Sequence, residues 1–118
     1  MTLDEFMDMG LWQLRKTGEP SRRNVSYPGF LFLFLRLRAS PDGSAVLEIA
    51  NVTVHLEDRG RGVFTKTLRH IKYKYPEVHI RVERVTDQRF QLYLMKLGFE
   101  TTGQQVYCLD RDKDMPSS

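Results

Sequence analysis

A short segment rich in glycine and arginine, Arg59-Gly60-Arg61-Gly62, has the residue types that best suit ligand chemistry in this chain. It lies between an apolar run typical of a strand and an amphipathic run typical of a helix. The first N–H groups of a helix have no backbone partners and carry partial positive charge. Glycines let the backbone approach a ligand closely. The segment therefore predicts a phosphate or pyrophosphate site, with a tight turn and two solvated arginines as the alternative.

Two later segments narrow this prediction. VHIRVERV, at residues 78–85, alternates as a strand does, and DQRFQLYLMKLGFE, at residues 87–100, has the apolar spacing of a helix. The order strand, RGRG, helix, strand, helix, KLGF resembles the GNAT superfamily of acyl-CoA N-acyltransferases, in particular its small phage and bacterial members. The resemblance covers residues 47–108. The family turn has the pattern Gln/Arg-x-x-Gly-x-Gly/Ala, and here Glu57 stands at its first position.

The resemblance implies a co-substrate and a site for it. GNAT proteins transfer an acyl group directly from acyl-CoA to an amine, so acetyl-CoA is the implied acyl donor. Strand N–H groups would bind pantetheine and polarise the acyl carbonyl, and the glycine turn would bind the pyrophosphate. The implied cofactor-binding residues are Val52, Thr53, Val54, Arg59, Gly60, Arg61, Gly62, Val63, Phe64, Asp87 and Arg89. Asp87 is alternatively a helix N-cap, and Arg89 is alternatively a solvated side chain.

Acyl transfer also needs groups that move protons. Many GNAT proteins have a tyrosine at the position of Leu94, and here Tyr93 stands one residue earlier as the candidate acid. Glu48 and Glu83 are the first candidates for a general base, because they lie in predicted strands beside apolar neighbours that disfavour a buried charge. Either is alternatively an ordinary carboxylate on a strand face. His55 is a third candidate, since histidine suits acid–base chemistry.

The remaining sequence predicts the elements that position these residues. Helical apolar spacing predicts helices at residues 3–17, 62–75 and 87–97, with Thr2 and Glu5 as a capping box for the first and Gly98 as the C-cap of the last. Apolar runs bounded by turn residues predict strands at residues 30–39, 45–55, 78–85, 99–102 and 104–109. The polar residues 21–28 are predicted as a loop. GFLFLFL, at residues 29–35, is predicted to be buried on both faces of the sheet.

The apolar positions of the strand at residues 45–55 change phase. Leu47 and Ile49 share one face, whereas Val52 and Val54 share the other. A strand changes its apolar face through a bulge, unless both of its faces are buried. The corresponding GNAT strand has a bulge and diverges from the next strand, so we predict a bulge within residues 49–52. A central strand covered on both faces is the alternative.

Length and composition predict one domain, and the order of its predicted strands and helices gives it the α/β (α+β) class. The 118 residues, 41% of them hydrophobic, are enough for a single core. We assign residues 1–118 to one domain, with its core at 30–110 and a flexible tail at 111–118. The implied fold is GNAT-like: a mixed, mostly antiparallel sheet with a parallel central pair and flanking helices. The net charge of +3 suits an anionic ligand.

The composition also argues against several classes of function. Cys108 is the only cysteine, so no internal disulfide forms, and we predict a reducing cytoplasm, that of the host if the chain is phage-encoded. The histidines lie on separate predicted elements, so no metal site is expected. No apolar run approaches the ~20 residues of a membrane span, so no membrane partner is expected.

The sequence thus predicts an enzyme, an N-acetyltransferase acting on the amine of a small molecule or a protein. The first alternative is a catalytically silent domain of the same fold that binds acyl-CoA or another protein. A nucleic-acid binder is a lower alternative, because no stacking aromatic residues accompany its arginines and lysine: Arg15, Lys16, Arg22, Arg23, Arg36 and Arg38. A dinucleotide-binding βαβ unit is lower still, since Thr65 replaces the third glycine. Monomer and homodimer both stay open, with residues 30–35 as an interface if their strand lies at an edge.

Overall fold

The computed structural model describes residues 1–55, 60 and 62–115, which form three helices and one six-stranded sheet. The helices are α1 (Leu3–Thr17), α2 (Val63–Lys74) and α3 (Gln88–Lys96). The strands are β1 (Ser21–Asn24), β2 (Phe30–Ala39), β3 (Ala45–Val54), β4 (Val78–Val82), β5 (Glu100–Gly103) and β6 (Val106–Leu109). The sheet order is β1-β2-β3-β4-β6-β5. The predicted α+β class is therefore confirmed.

The sheet has one parallel pair at its centre. β3 and β4 run parallel from Ala45↔Val78 to Ile49↔Val82, and the other four neighbouring pairs are antiparallel. A parallel pair needs a crossover connection, and α2 supplies it. The predicted mixed, mostly antiparallel sheet is confirmed.

One face of the sheet is apolar and carries the helices. Leu37, Leu47, Ile80 and Leu109 are register partners across four strands, and each is at most 1% exposed. α1 packs directly on this row, since a Cβ added at Gly10 would lie 2.8 Å from a methyl carbon of Leu37. A hydrogen bond between His70 and Asp4 joins α2 to α1, and ring contacts join α3 to α2. The three helices thus form one layer over the core.

The opposite face of the sheet carries charged side chains. Arg36, Glu48, Arg81, Cys108 and Glu100 are register partners in one row across β2, β3, β4, β6 and β5. Successive side chains of a strand point to opposite faces, so this row alternates with the apolar row beside it. The side chains of Arg36 and Arg81 retain 38% and 34% exposure. This face therefore meets solvent.

The predicted bulge in β3 lies at Ala50. Phe34 pairs with Asn51 and the next residue of β2 pairs with Ile49, so Ala50 is an extra residue in the ladder. The extra residue turns Val52 toward the apolar face, where regular alternation would have turned it to the charged one. The change of phase in the sequence is therefore explained by a bulge, which the sequence located correctly.

β1 corrects the prediction of a loop over residues 21–28. Ser21–Asn24 pairs antiparallel with residues 34–37 of β2. β1 lies at the edge of the sheet and exposes all of its side chains except that of Ser21, which is half-buried. An edge strand of this kind has no apolar alternation, so the pattern from which strands are predicted is missing. Its hydrogen bonds come from the otherwise free edge of β2.

The end of β4 and the start of β2 also differ from the prediction. β4 ends at Val82 instead of residue 85, because Arg84 has a φ of 57° and turns the chain. The start of β2 is not buried on both faces: Leu31 and Phe32 are 66% and 38% exposed. The register of β2 with β3 skips Leu31, and β1 pairs only with later residues of β2. The choice between monomer and homodimer stays a prediction.

The segment after β6 is held by contacts, although a flexible tail was predicted from residue 111. Lys72 Nζ donates hydrogen bonds to the carbonyls of Asp110, Arg111 and Lys113. Lys113 Nζ donates to Glu100 at 2.9 Å. Residues 110–113 are thereby tied to α2 and β5, and residues 116–118 lie outside the described part of the chain.

Candidate functional site

The two parallel strands part in the middle of the sheet and leave a cleft. Their pairing ends with a hydrogen bond from Glu83 N to Ile49 O, 3.1 Å long. β3 continues to Val54 in pairing with β2, whereas the chain after β4 turns toward β6, where Val85 N donates to Gln105 O. The bulge follows the last shared bond directly, so β3 bends where the pairing ends. Crevices at the carboxyl ends of parallel strands are common ligand sites.

α2 begins beside this cleft with an uncapped end. Its N-cap residue, Gly62, has a φ of 72°, and within residues 1–55, 60 and 62–115 no side chain caps the first turn, which itself has no acidic residue. α1 and α3 are instead capped by the side chains of Thr2 and Asp87. Among the helices of the described residues, α2 is thus the one whose N-terminal N–H groups stay available to an anion.

A groove of about 420 Å³ joins the end of β3, the glycine turn, the start of α2 and one side of α3. The residues that line it are Val54, Gly60, Gly62, Val63, Phe64, Phe90 and Tyr93. All of them except Phe90 were predicted from the sequence as cofactor-binding or catalytic. Phe90 lies one helical turn before Tyr93, and this spacing could have predicted from the sequence that Phe90 lines the same groove. We call this groove the cleft groove.

The other predicted cofactor-binding residues lie around the cleft groove. Val52 and Thr53 precede its lining on β3 and are partly buried. Asp87 caps α3, because its carboxylate accepts from Arg89 N at 2.9 Å, so the N-cap alternative is confirmed. Arg89 lines a depression on α3 that Tyr93 also lines.

The turn is described only at its two glycines. Arg59 and Arg61, together with Glu57, lie outside the described residues. Gly60 and Gly62 have φ values of 80° and 72°. A Cβ added to either would meet none of the other described residues within 4 Å. The glycines are therefore required by backbone conformation, and they leave open space beside the start of α2.

Tyr93 is the predicted acid, and its ring lies in the cleft groove. The ring centroid is 6.5 Å from that of Phe64 and 6.1 Å from that of Phe90. Burial raises the pKa of the Tyr93 phenol above its ordinary value, and the charge of Arg69 opposes this, so the phenol is a protonated donor at neutral pH. The adjacent Leu94 is fully buried in the core. Neighbouring helical positions point about 100° apart, which is why residue 93 reaches the groove.

Glu48 and Glu83 lie among arginines, so the apolar surroundings predicted for them are wrong. Glu48 Oε1 lies 3.5 Å from Arg36 Nε and 3.2 Å from Arg38 Nε, and its Oε2 lies 3.6 Å from Arg81 Nε. Glu83 is hydrogen-bonded by Arg36 and lies 3.8 Å from Arg81 Nε. Cross-strand neighbours, not sequence neighbours, surround a strand residue. We call Arg36, Arg38, Glu48, Arg81 and Glu83 the arginine–glutamate cluster. The sequence pattern that could have predicted it is the charge at every second position, at residues 36 and 38 and again at residues 81 and 83.

Gly29 holds the start of α2 against the end of β3. Its φ is 93°, its carbonyl accepts from His55 N at 2.9 Å, and an added Cβ would lie 2.6 Å from Val63 Cγ1. We expect Gly29→Ala to lower the free energy of unfolding by about 3 kcal/mol, because backbone strain and overpacking add. Gly43 is the matched control, since its φ is 88° and an added Cβ would meet nothing within 4 Å.

For this control, Gly43→Ala, we expect a loss of about 1 kcal/mol, from backbone strain alone. Urea denaturation of both variants measures the difference. Equal losses would contradict the close contact with α2.

Neither metal ligands nor a membrane helix accompanies the cleft groove. Among residues 1–55, 60 and 62–115, no three His, Cys, Asp or Glu side chains are grouped so as to hold a metal ion. In the same part of the chain, no helix has the length and apolar character needed to cross a membrane. The chain matches no protein-family model, and no curated protein is significantly similar to it. The geometry of the site is therefore what supports a function.

Proposed function

We propose that this chain is an N-acetyltransferase of the GNAT type, which transfers an acetyl group from acetyl-CoA to an amine. The observation that carries the proposal is the cleft groove, where β3 leaves β4 beside the uncapped start of α2 and the phenol of Tyr93. A pyrophosphate needs N–H donors, a reacting carbonyl needs a donor for its oxygen, and a departing thiolate needs an acid. In the groove, the start of α2 supplies N–H donors and Tyr93 supplies the acid, and we propose that the end of β3 supplies the donor for the carbonyl oxygen.

In this proposal the first N–H groups of α2, at Val63 and Phe64, bind the pyrophosphate with the help of the helix dipole. The pantetheine arm lies along residues 52–54 of β3, on the edge that β4 leaves. Phe64 and Phe90, whose rings are 5.4 Å apart in an edge-to-face pair, pack against this arm and exclude water from it. Arg59 and Arg61 add positive charge beside the pyrophosphate.

Acetyl-CoA supplies an activated thioester, which the amine attacks directly. Backbone N–H groups of β3 donate to the carbonyl oxygen, where negative charge develops. The phenol of Tyr93 gives its proton to the departing sulfur. The attacking amine must be neutral, although free amines of this kind are mostly protonated at neutral pH. We assign the proton acceptor to Glu83 before Glu48, because Glu83 follows the point where the strands part and its side chain retains 17% exposure, against 8% for Glu48.

Calorimetric titration with acetyl-CoA tests the proposal, followed by a screen of small amines and lysine peptides that measures released thiol. We expect micromolar binding and thiol release with at least one class of amine. Absence of binding by the folded chain would overturn the proposal. Binding without turnover would favour a silent acyl-CoA-binding domain, a second candidate that the burial of Leu94 supports, since many GNAT proteins have their acid at this position.

Tyr93→Phe is expected to lower kcat about 100-fold and to change the KM for acetyl-CoA by less than about twofold. The ring contacts remain in this variant and only the proton donor is lost. Because the pKa of the phenol is raised, the wild-type rate should show no loss from ionisation of Tyr93 below about pH 10. Tyr73, which lies on α2 and is 89% exposed, is the control. A kcat for Tyr93→Phe equal to that of Tyr73→Phe would remove Tyr93 from the mechanism.

The proposed acceptor is the amine of a small molecule or a protein, and the proposed location is the cytoplasm.

The alternative of nucleic-acid binding is weakened because several of the arginines it would use form ion pairs within the chain. Arg36 and Arg38 face Glu48, and Arg15 is hydrogen-bonded to Glu77 at 3.1 Å. Their charge is therefore partly neutralised within the chain, which reduces what a phosphate backbone could gain from it.

A further inference from the structure

A second groove, of about 610 Å³, lies on the charged face of the sheet. Arg38, His79 and Arg81 line it from β2 and β4, and Cys108 and Glu100 line it from β6 and β5. It shares no lining residue with the cleft groove. We call it the sheet-face groove.

The carboxylate of Glu48 forms ion pairs with two arginines that line this groove. Arg38 Nε lies 3.2 Å from one carboxylate oxygen, and Arg81 Nε lies 3.6 Å from the other. A guanidinium has five N–H donors. The terminal nitrogens of both arginines have no hydrogen-bond acceptor among residues 1–55, 60 and 62–115. Both arginines are therefore ion-paired with Glu48, and their terminal N–H groups lie free of acceptors from the described residues.

The acidic groups of the sheet-face groove are already engaged. Glu100 accepts from Lys113 Nζ at 2.9 Å, and Asp110 accepts from Asp112 N at 3.1 Å. The third acidic residue of the lining is Asp112, whose carboxylate lies 3.8 Å from Arg111 Nε. His79 Nδ1 accepts from a backbone N–H at 3.1 Å, so the neutral ring has its proton on Nε2 and adds a donor. The arginine–glutamate cluster, with three arginines and two glutamates, has one formal positive charge.

We propose that the sheet-face groove binds a small oxyanion, the carboxylate or phosphate group of a metabolite, between the guanidinium groups of Arg38 and Arg81. Planar guanidinium groups match the geometry of both oxyanions and bind them through paired hydrogen bonds. Glu48 keeps the two arginines oriented before the ligand arrives, which lowers the entropic cost of binding. The site is independent of acetyl transfer, because it needs neither acetyl-CoA nor Tyr93.

An NMR titration of the ¹⁵N-labelled full chain tests this site, with inorganic phosphate and succinate added separately at constant ionic strength. We expect saturable shifts of backbone amides that border the groove, such as those of Thr102 and Asp112, with at least one anion. The anion that saturates at the lower concentration distinguishes a phosphate from a carboxylate ligand. Shifts that stay linear for both anions, or that do not centre on the groove, would overturn the proposal.

A pair of charge-preserving variants sharpens the test. Arg38→Lys with Arg81→Lys keeps two positive charges beside Glu48 and removes both guanidinium forks. We expect the dissociation constant to rise at least about tenfold. Arg22→Lys with Arg23→Lys, on the exposed edge strand β1, is the control and should leave it unchanged. Equal affinities in the two variants would show that the arginine pair does not bind the anion. The dispersion of the same spectra shows whether the double variant is folded. If it is unfolded, the single variant Arg81→Lys replaces it in the titration.

Discussion

Gly62→Asp is expected to weaken the binding of acetyl-CoA about 100-fold, which corresponds to about 2.7 kcal/mol. The aspartate would place a carboxylate at the N-cap of α2, where it repels the pyrophosphate and accepts hydrogen bonds from the N–H groups proposed to bind it. A Cβ added at Gly62 would meet no atom of the described residues within 4 Å. Its φ of 72° adds only about 1 kcal/mol of backbone strain. Calorimetric titration measures the affinity, and circular dichroism verifies the fold.

Gly43→Asp is the matched control for this experiment. Gly43 also has a positive φ, of 88°, and open space, but it lies in the turn between β2 and β3. The control therefore has the same strain and the same change of charge without a carboxylate at α2, and we expect its affinity to stay within about twofold of the wild type. Gly60→Asp should resemble Gly62→Asp. Folded Gly60→Asp and Gly62→Asp variants with wild-type affinity would exclude the start of α2 as the pyrophosphate site.

Glu48→Gln is expected to lower the free energy of unfolding by about 2–3 kcal/mol at neutral pH. The variant keeps the size of the side chain but leaves Arg38, Arg36 and Arg81 without the carboxylate between them. Breaking a fully buried pair typically costs about 3–5 kcal/mol. The expected loss is smaller because the arginine side chains are 34–38% exposed and keep some contact with water.

Glu77→Gln provides the comparison for a surface ion pair. Glu77 is hydrogen-bonded to Arg15 at 3.1 Å, and the side chains of the two are 40% and 67% exposed. We expect a loss below about 0.5 kcal/mol, as for other exposed pairs. Urea denaturation of both variants gives the difference. A similar, small loss for Glu48→Gln would show that Glu48 does not stabilise the sheet, and a loss of activity without a loss of stability would restore it as a candidate base.

Some elements were predictable because their signals lie within one segment. α1 spans the predicted residues, and Thr2 and Glu5 form the predicted capping box. The cap, the apolar stripe and the terminal glycine of a helix are all close together in sequence. The bulge at Ala50 was predictable for the same reason, since the change of apolar phase occurs inside β3.

Other features depend on contacts between segments far apart in the chain. β1 has no apolar alternation, and it is a strand only because β2 offers an edge. The end of β4 is set by the positive φ of Arg84, a backbone conformation that no residue type near it predicts. The surroundings of Glu48 come from β2 and β4, so its own sequence neighbours, which lie on the other face, were misleading.

The sequence by itself determined the α+β class, the three helices and the position of the glycine turn, because apolar periodicity and turn residues act locally. Only the tertiary structure decided that Tyr93 shares a groove with Gly60 and Gly62, and that Glu48 lies among arginines. Strand register and the packing of α3 on α2 bring these residues together. Both depend on the summed burial of the whole core, which no single segment encodes.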